Sequence, residues 1–584
     1  MDNFSLALLL VYYQKMNKHW TIQKHDREEV IKLANSLQVS PIVAALLITR
    51  GYETEEKAVK FLSPSYADLH EPNLLKGMKE AMARVLKAID AGEKILIWGD
   101  YDVDGTTGTV VLRKTLEILG AQTGFHVPHR FTEGYGLNKE HLEKAKERGY
   151  SLVISVDTGT RSFEPLAWAK ENGLDVIVTD HHLSDEVRGN PECVAMVNPN
   201  QTDCEYPDKN LAGVGVAFKL AHALLREKGR ENIVKGFLKV VAIGTIADVM
   251  KLTGENRAIV SIGLKDLQRA HNYGLRALME VAECTSEMTS YHIGFRIAPR
   301  INAAGRMDAA RHVVELFEAE SFVKARELAE YLDIKNRERQ KVQIDILQKA
   351  LLEYVESGGS AKQAHFAVVA GDGWHRGVIG LAASKISEKL HRPSIVISLE
   401  NGIGHGSARS ISNYHLLNGM DSCAELFEQY GGHAAAAGMT IKGENIDKLR
   451  EKLNEHAANN LSEEDLMPNI KVDALVSSQS LTLDLVEELK QFEPFGMGNP
   501  KPVFVTRNLQ LSQEPFVMKE KHLKLKLRDE KGKQFEAVWW DGVEHSKEQT
   551  LKPQTCIELA YTPEANTWNN NTRLQLVVKD LKSS

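Results

Sequence analysis

Short apolar runs alternate with helix-like patterns through the first half of the chain. The runs at residues 94–98, 151–156 and 175–178 are rich in β-branched side chains, which is typical of buried strands. Between the first two, residues 106–119 carry apolar side chains at helical spacing and stop at Gly120, where a helix would end. Strands that alternate with helices predict βαβ units, and therefore a parallel sheet.

The pattern changes further along the chain. Residues 28–90 look helical with breaks at Pro41 and Pro64, and residues 332–355 form an amphipathic helical pattern that ends at Gly358 and Gly359. Strands are predicted at 365–370 and 394–398, with a helix between them. After about residue 466, alternating strands separated by turns predict a small β-barrel such as an OB-fold, at 471–476, 503–505, 523–527, 535–540 and 574–578.

These patterns divide an α/β chain into five segments. We predict a helical N-terminal segment (1–69), a parallel-sheet domain (70–331), a connecting helix (332–357), a smaller α/β domain (358–465) and an OB-like barrel (466–584).

The apolar run at residues 4–13 is too short to span a bilayer and lacks the basic region of a signal peptide. We therefore expect no stable membrane association, and we treat Met16 as an alternative start that would leave 1–15 outside the native chain.

Composition narrows the class of protein. The chain has 584 residues, 43% hydrophobic and 26% charged, as in globular proteins that hold several domains. Its five cysteines are scattered without Cys-x-x-Cys spacing, which argues against a disulfide framework or structural zinc and predicts a cytoplasmic location. The net charge of −7 does not exclude nucleic acid, since strand binding needs only a local basic groove.

Acidic and imidazole side chains follow each predicted strand of the parallel sheet. The set comprises Asp100, Asp102, Asp104, Asp157, Asp180, His181, His182 and, closing an apolar stretch, Asp248. Ligands bind outside the carboxyl ends of parallel strands, so one crevice can collect these groups. Carboxylate and imidazole groups are suitable ligands for manganese, iron or zinc. These side chains are enough to bind two metal ions, the arrangement that catalyses in-line displacement at a phosphorus atom. The pattern therefore predicts hydrolysis of a phosphoester or phosphoanhydride.

Each of these positions also has a purely structural interpretation. Aspartate-rich loops form turns and helix caps, which would account for the 100–105 loop, and Asp157 could be an ordinary turn residue. Asp248 could pair with Lys251 or Arg257. Only the convergence of the whole set on one sheet edge favours a metal site.

Further strings occur in a fixed order along the chain. They are GDYDVDG at 99–105, RFTEGYGL at 130–137, GTIAD at 244–248, RINAAGR at 300–306, GGH at 431–433 with AG at 437–438, and PFGMGNP at 494–500. With Asp-His-His at 180–182, this set resembles the DHH phosphoesterase superfamily and, within it, the RecJ family. The resemblance implies a DHH catalytic domain, a DHH-associated domain and an OB-like domain. It also implies a single-strand-specific exonuclease that degrades DNA 5′→3′ to mononucleotides in repair and recombination.

The resemblance also implies a role for each acidic residue. Asp157 would bridge two metals, one of which would also take Asp104, His181 and Asp248, while the other would take Asp102 with Asp100 nearby. His182 would contact the scissile phosphate, and Asp180 would orient a histidine. The implied cofactor is two Mn²⁺ ions, with Mg²⁺ as the alternative. Trp98 departs from the many superfamily members that have a histidine ligand there, so the first metal should be held more weakly.

A second group of residues is expected to bind substrate. Residues 404–410 combine glycine, serine and one arginine, which suits phosphate binding, although the string alone is equally compatible with a turn. The resemblance implies that Ser407 and Arg409 hold a 5′-terminal phosphate together with Arg130. Asn302 and Arg306 would be further strand contacts, and His433 would face the substrate.

The C-terminal barrel supports a polymeric substrate. Lys519, Lys521, Lys524 and Lys526, with Phe516 and Trp539, have the composition of a single-strand groove, although about half of such lysines would simply cover an edge strand. We expect a monomer that acts on single-stranded DNA with a helicase and a single-strand-binding protein. Two alternatives remain: a DHH phosphodiesterase of oligoribonucleotides or cyclic dinucleotides, and an inactive helicase-associated scaffold, which would have lost its metal ligands.

Overall fold

The structure is a computed structural model that describes residues 18–583 except 131, 135, 285–286, 308, 360–363, 547–550 and 570. The alternative start at Met16, and Phe131 and Tyr135 of the 130–137 string, lie outside the described residues. The chain divides into two compact units. One comprises Tyr52–Arg337 and Leu489–Lys501, and the other comprises Met1–Gly51, Glu338–Glu488 and Pro502–Ser584.

The first described elements are β1 (His19–Ile22), α1 (Arg27–Leu37) and α2 (Pro41–Thr49). Pro41 begins α2 instead of breaking a helix, because a missing N–H costs nothing in the first turn and Ser40 caps that turn. Within the described chain, no single helix is long and apolar enough to span a membrane. Only α1 and α2 taken together, bent by 111°, reach that length and composition.

A five-stranded sheet forms the centre of the first unit, in the order β3-β2-β4-β5-β6. Its strands are β2 (Lys94–Gly99), β3 (Gln122–His126), β4 (Tyr150–Val156), β5 (Asp175–Thr179) and β6 (Ala195–Val197). Every pairing is parallel, as predicted. The sequence prediction lacked β3, which contains few apolar residues, and β6, which is only three residues long.

The helices of this unit are α3 (Glu55–Leu62), α4 (Met78–Asp90), α5 (Val103–Ile118), α6 (Lys139–Glu147), α7 (Phe163–Glu171), α8 (Gly213–Glu227), α9 (Leu238–Ala247), α10 (Gly254–Leu267), α11 (Tyr273–Val281), α12 (Ser290–His292), α13 (Ala298–Arg306) and α14 (Arg311–Phe317). Of these, α4, α5 and α8 pack on one face of the sheet, and α6 and α7 pack on the other. Ile95 and Ile97 lie in one apolar cluster, while Leu96 and Trp98 lie in another. Because successive strand residues point to opposite faces, burial on both faces explains the unbroken apolar runs.

A long helix, α15 (Phe322–Glu356), follows with 35 residues. It begins at Phe322 and not at Leu332 as predicted, because Ala325, Leu328 and Ala329 already pack into the core of the first unit. Its last turns pack with the second sheet, where Ile346, Ala350, Leu351 and Tyr354 are buried.

The second sheet has the order β10-β11-β9-β8-β7. It contains β7 (Ala367–Asp372), β8 (Ser394–Glu400), β9 (Ile403–Arg409), β10 (Phe427–Gly432) and β11 (Ala436–Lys442), with helices α16 (Arg376–Leu390), α17 (Leu416–Asp421) and α18 (Ile446–Asn460). The alternative of a turn at 404–410 is wrong, because that block lies in β9, which pairs with β8 on one side and β11 on the other. Its backbone N–H groups are therefore used within the sheet, and only its side chains can meet a ligand.

The C-terminal part forms the predicted barrel. Its elements are β12 (Asn469–Val472), β13 (Ala474–Leu475), α19 (Leu483–Lys490), β14 (Phe504–Leu511), β15 (Phe516–Met518), β16 (His522–Arg528), β17 (Gln534–Trp539), α20 (Gly542–His545), β18 (Cys556–Trp568) and β19 (Asn571–Ser583). Strands β14, β18, β19, β17 and β16 pair in that order, and a β14–β16 pairing closes the ring. β12 leaves the barrel to pair in parallel with β1.

Candidate metal centre

Three aspartates follow the first strand of the parallel sheet. The prediction that all three lie in a loop is wrong for Asp104, which lies in the first turn of α5. The helix begins at Val103 because the Asp102 carboxylate caps it and accepts the N–H of Gly105 at 3.0 Å. The capping role foreseen for this loop therefore belongs to Asp102.

A helix N-terminus holds the buried Asp104 carboxylate. The backbone N–H groups of Gly213 and Val214 donate to it at 2.6 and 2.7 Å from the first turn of α8, where the helix dipole favours an anion. A Cβ on Gly213 would lie 2.5 Å from the Cβ of Asp157, so only glycine allows this approach. The sequence prediction missed Gly213, although a Gly-Val-Gly string opening an apolar helix is a recognisable signal.

Asp157 follows β4 in an unusual backbone conformation. Its φ is +62°, a region that aspartate tolerates better than most residues, and its N–H donates to the Thr179 carbonyl at 2.9 Å. Asp157 is buried, and its Oδ1 lies 3.2 Å from His181 Nε2. It is therefore not an ordinary surface turn residue.

The Asp-His-His segment is fixed by hydrogen bonds around Asp180. The buried Asp180 carboxylate accepts the N–H groups of Thr160 and His181 and lies 2.7 Å from His182 Nδ1. Burial opposes ionisation, but these bonds outweigh it and hold the pKa of Asp180 below its usual value. Two residues that the sequence prediction missed anchor the backbone, because the Asn198 and Asn200 amides donate to the carbonyls of His182 and His181.

Asp248 caps the C-terminus of α9 and faces His181 Nε2 at 3.6 Å. Arg257, the alternative partner, instead donates to the backbone carbonyls of Phe61, Gln491, Phe492 and Glu493. The Pro494–Pro500 string lies in the same unit, where the Leu252 N–H donates to the Met497 carbonyl at 2.8 Å. That string therefore packs beside the segment that follows Asp248.

The collected carboxylates raise one another's pKa. Burial, and then Asp104 and Asp102, raise the pKa of Asp157 well above its usual value. Burial and Asp102 raise the pKa of Asp248 to about 7, while burial lowers the pKa of His181 to about 4. A divalent cation would remove this repulsion, and a neutral imidazole is the form that can bind it.

The geometry of the donors fits divalent cations. Three sets have ligand atoms within 4.8 Å of one another, namely Asp104 with His181 and Asp248, Asp157 with His181 and His182, and Asp100 with Asp102 and Asp157. The Asp100 Oδ1 atom is buried and has no hydrogen-bond donor within the described chain. Because Asp157 and His181 are each shared between two sets, neighbouring ions could be held at one sheet edge.

Trp98 does not join these donors. Its fully buried indole packs against the His126 ring at 4.5 Å and the His141 ring at 6.1 Å between centroids. The position that carries a histidine in many superfamily members therefore has a packing role here.

Arg130, Asn302 and Arg306 lie in the same unit as the acidic cluster. The Arg130 guanidinium lies 5.0 Å from the centroid of the Tyr101 ring. Helix α13 carries Asn302 and Arg306 and approaches so closely that a Cβ on Gly305 would lie 2.3 Å from the Tyr101 carbonyl oxygen. Burial, and then Asp100, raise the pKa of Tyr101 to about 12, although Arg130 and Arg306 oppose the shift.

Ser407, Arg409 and His433 lie in the other unit. Ser407 and Arg409 are two apart on β9, so their side chains share a face, and Arg409 Nη1 donates to Ser407 Oγ at 3.2 Å. A Cβ on Gly380 of α16 would lie 2.9 Å from that Oγ. His433 is exposed in the β10–β11 turn, where its N–H donates to the Ala436 carbonyl.

The barrel corrects one predicted nucleic-acid contact. Trp539 is only 2% exposed and belongs to the barrel interior, whereas Phe516 and Trp540 are 62% and 55% exposed. Strand alternation explains the error, because neighbouring tryptophans point to opposite sides. Lys524 pairs with Glu536 at 3.0 Å, while Lys521 and Lys526 are exposed.

A parallel sheet that gathers aspartates and an Asp-His-His segment at its carboxyl edge defines a protein of the DHH phosphoesterase class. Family models agree: the DHH family N-terminal domain matches residues 94–245, the DHHA1 domain 362–459 and the RecJ OB domain 472–580. The chain is 42% identical to the single-stranded-DNA-specific exonuclease RecJ of Bacillus subtilis, over 96% of this chain and 70% of that protein. The chain belongs to the RecJ family.

Solved structures agree with this assignment. The crystal structure of Thermus thermophilus RecJ with Mn²⁺ superposes with a TM-score of 0.82 at 29% identity, covering 97% of this chain and 79% of that one. The structure of the same protein with Mg²⁺ gives a TM-score of 0.77 at 28% identity, covering 97% and 78%. The predicted family, the α/β fold class with its OB-like barrel, and the assignment as an exonuclease that hydrolyses phosphodiester bonds are confirmed.

Proposed function

We propose that this protein removes mononucleotides from the 5′ end of single-stranded DNA in repair and recombination, using two divalent metal ions. The observation that carries the proposal is the overlap of three donor sets around Asp157 and His181. Mn²⁺ is the proposed ion and Mg²⁺ the alternative, because both are present in structures of a RecJ relative. The relatives named for single-stranded DNA support the substrate.

In this proposal Asp104, His181, Asp248 and Asp157 hold one ion, and Asp157, Asp102 and Asp100 hold the other. When bound, the ions would activate a water molecule and stabilise the charge on the phosphoryl oxygens. The Gly213 and Val214 N–H groups hold Asp104 in its ligating orientation. The bonds to Asp180 fix the backbone at His181, so that its Nε2 faces the acidic residues.

His182 is proposed to contact the scissile phosphate. Burial disfavours the charged ring, but the bond from Nδ1–H to Asp180 and nearby carboxylates outweigh that effect and raise the pKa of His182. The side chain is 45% exposed, so a substrate can reach the ring. A proton held at Nε2 would stabilise charge on a phosphoryl oxygen.

The 5′→3′ polarity is proposed to come from recognition of the terminal phosphate. Ser407 and Arg409 offer a hydroxyl and a guanidinium on one face of β9. Arg130 is also proposed to bind a phosphate of the substrate. Asn302, Arg306 and His433 are proposed as strand contacts. Exposed lysines and aromatics of the barrel would bind the strand by charge and base stacking.

Other features of the proposal rest on less specific support. Domain boundaries near residues 69, 331, 357 and 465 are part of the proposal, and the matched ranges 362–459 and 472–580 support the last two. We propose a monomer that works in the cytoplasm with a helicase and a single-strand-binding protein. All five cysteines are free, which suits a reducing compartment.

Digestion of end-labelled DNA tests the proposal. Purified protein with Mn²⁺ should release labelled mononucleotide first from a 5′-radiolabelled single strand, and duplex DNA and cyclic dinucleotides should be poor substrates. A 3′-labelled strand should instead give progressively shorter labelled fragments. Faster hydrolysis of cyclic dinucleotides would favour the small-molecule phosphodiesterase, and release of label first from the 3′ end would contradict the polarity.

A further inference from the structure

A second cluster of metal-binding side chains lies outside the acidic cluster just described. It contains His126, the last residue of β3, Glu133 in the following loop, and His141 in the first turn of α6. Glu133 Oε2 lies 2.7 Å from His126 Nε2 and 3.3 Å from His141 Nε2. The three side chains are 28%, 17% and 21% exposed, so the cluster is half-buried with access to solvent.

The hydrogen bonds of Asn138 determine which nitrogen of His141 carries a proton. Asn138 Oδ1 accepts the backbone N–H of His141 at 3.0 Å, which identifies that atom as the amide oxygen. The same oxygen lies 2.8 Å from His141 Nδ1, so Nδ1 must donate. A neutral His141 therefore turns the lone pair of Nε2 toward the Glu133 carboxylate, and the two repel unless a cation lies between them.

We propose that His126, Glu133 and His141 bind a divalent transition-metal ion of the zinc class, separate from the ions of the catalytic cluster. Two imidazoles and one carboxylate are an established ligand set for zinc. Tetrahedral ligands about 2.0–2.1 Å from zinc are about 3.3 Å apart, which matches the His141–Glu133 separation. The His126 Nε2 atom, now 2.7 Å from Glu133 Oε2, would move outward by about 0.6 Å. The cysteine pattern that argued against structural zinc does not bear on this site, which contains no cysteine.

The surroundings suit a metal site. The Asn138 bond orients His141 in the way that outer hydrogen bonds orient metal-binding histidines. The Trp98 ring packs against both histidines and shields that side from water. A bound ion would link β3, the loop after it and α6, and so fix the loop that carries Arg130.

Metal retention by matched variants tests the proposal. After incubation with Zn²⁺ and desalting, the unmodified protein should retain one more equivalent than His141→Ala, as measured by elemental mass spectrometry. His126→Ala should show the same loss, and the control His271→Ala, at an exposed histidine, should retain as much as the unmodified protein. Asn138→Ala should bind about 10–100-fold more weakly, as when an outer partner of a ligand is lost. Equal retention by His141→Ala and the unmodified protein would overturn the proposal.

A second measurement does not depend on the folding of a variant. Crystals of the unmodified protein soaked in Zn²⁺ should show an anomalous peak at the zinc edge within about 2.0–2.1 Å of both Nε2 atoms. The absence of a peak there would mean that a proton alone joins His141 to Glu133, and would overturn the metal site.

Discussion

The carboxyl edge of strands β2, β4 and β5 and the C-terminal end of strand β9 both carry side chains proposed to bind phosphate, but the electrostatic surroundings of these side chains differ. At the sheet edge, buried aspartates raise one another's pKa. On β9, Arg409 donates to Ser407 and to the Ala408 carbonyl, and the strand is paired on both sides. The first region is therefore electrostatically incomplete without cations, whereas in the second region hydrogen bonds within the protein hold the Arg409 side chain. Chemistry should depend on the first and end recognition on the second.

The largest expected effect is the loss of hydrolysis when a shared ligand is neutralised. Asp157→Asn keeps a residue that tolerates positive φ, and Asp102→Asn keeps a helix cap, so both variants should fold. Each should lower the Mn²⁺-dependent rate by about 10³-fold or more, because a lost ligand removes several kcal/mol of charge stabilisation. Circular dichroism should match the unmodified protein. Near-normal rates in either variant would refute the assignment of the metal ligands.

The pair His182 and Asp180 should rank next. His182→Gln should lower the turnover rate by about 10²-fold or more with little change in Mn²⁺ affinity, as expected for loss of a phosphate contact. Asp180→Asn should cost about 10–100-fold and also weaken metal binding, because it loosens the His181 backbone. Steady-state rates measured across a Mn²⁺ titration distinguish the two. A purely metal-binding effect in His182→Gln would contradict its role.

Thermal unfolding tests the charge imbalance directly. The folded-state pKa of Asp248 is raised from 3.8 to about 7, so the unfolded chain releases this proton more easily. The stabilising contribution of the protonated cluster is present below about pH 4 and is lost as pH rises toward 7. Metal-free protein in EDTA should thus lose several degrees in Tm between pH 5 and pH 8 from this source.

Added Mn²⁺ should offset that loss and raise Tm more at pH 8 than at pH 5, since ligands must be ionised to bind. Asp248→Asn should reduce the pH dependence of the metal-free protein. An equal Mn²⁺ effect at both pH values would show that the cluster does not bind the ion as ionised carboxylates.

A smaller effect is expected on the β9 face. Arg409→Gln should weaken the binding of 5′-phosphorylated single strands by about 10–100-fold, the value of one charge-assisted hydrogen bond, and should barely affect 5′-hydroxyl strands. The control Lys442→Gln removes an exposed charge at the end of β11. It should change the binding of 5′-phosphorylated and 5′-hydroxyl strands by the same factor. Binding measured by fluorescence anisotropy decides this, and equal losses for both strands in Arg409→Gln would argue against a terminal-phosphate site.

The smallest effect should come from the barrel. Lys521→Gln and Lys526→Gln each remove an exposed charge. If the lysine contacts a phosphate, its loss should reduce the slope of the logarithm of the binding constant against the logarithm of salt concentration by about 0.7. Lys533→Gln is the matched control, because its ammonium donates to the carbonyls of Ser478, Gln479 and Leu481. It should lower stability and leave the slope unchanged. If the slope is unchanged in all three variants, Lys521 and Lys526 do not contact the phosphates of the bound strand.

Sequence reasoning reached the parallel sheet because its strands are buried on both faces and therefore stand out as apolar runs. It missed β3 and β6, which lie at the two edges, because β3 contains few apolar residues and β6 is only three residues long. It also assigned Trp539 to the surface, since composition does not tell which face of a strand is inside. The block at 404–410 could be a turn or a strand by composition, and only its pairing with β8 and β11 decided that it is a strand.

By itself the sequence determined the family, the order of domains and the residues that carry charge, because each depends on residue type and local spacing. Tertiary structure decided which of these residues meet. It brought the Gly213 and Val214 N–H groups to Asp104 across more than a hundred residues, turned Arg257 away from Asp248, and placed His126, Glu133 and His141 together. Such contacts depend on how close packing positions distant elements, and no local pattern contains that information.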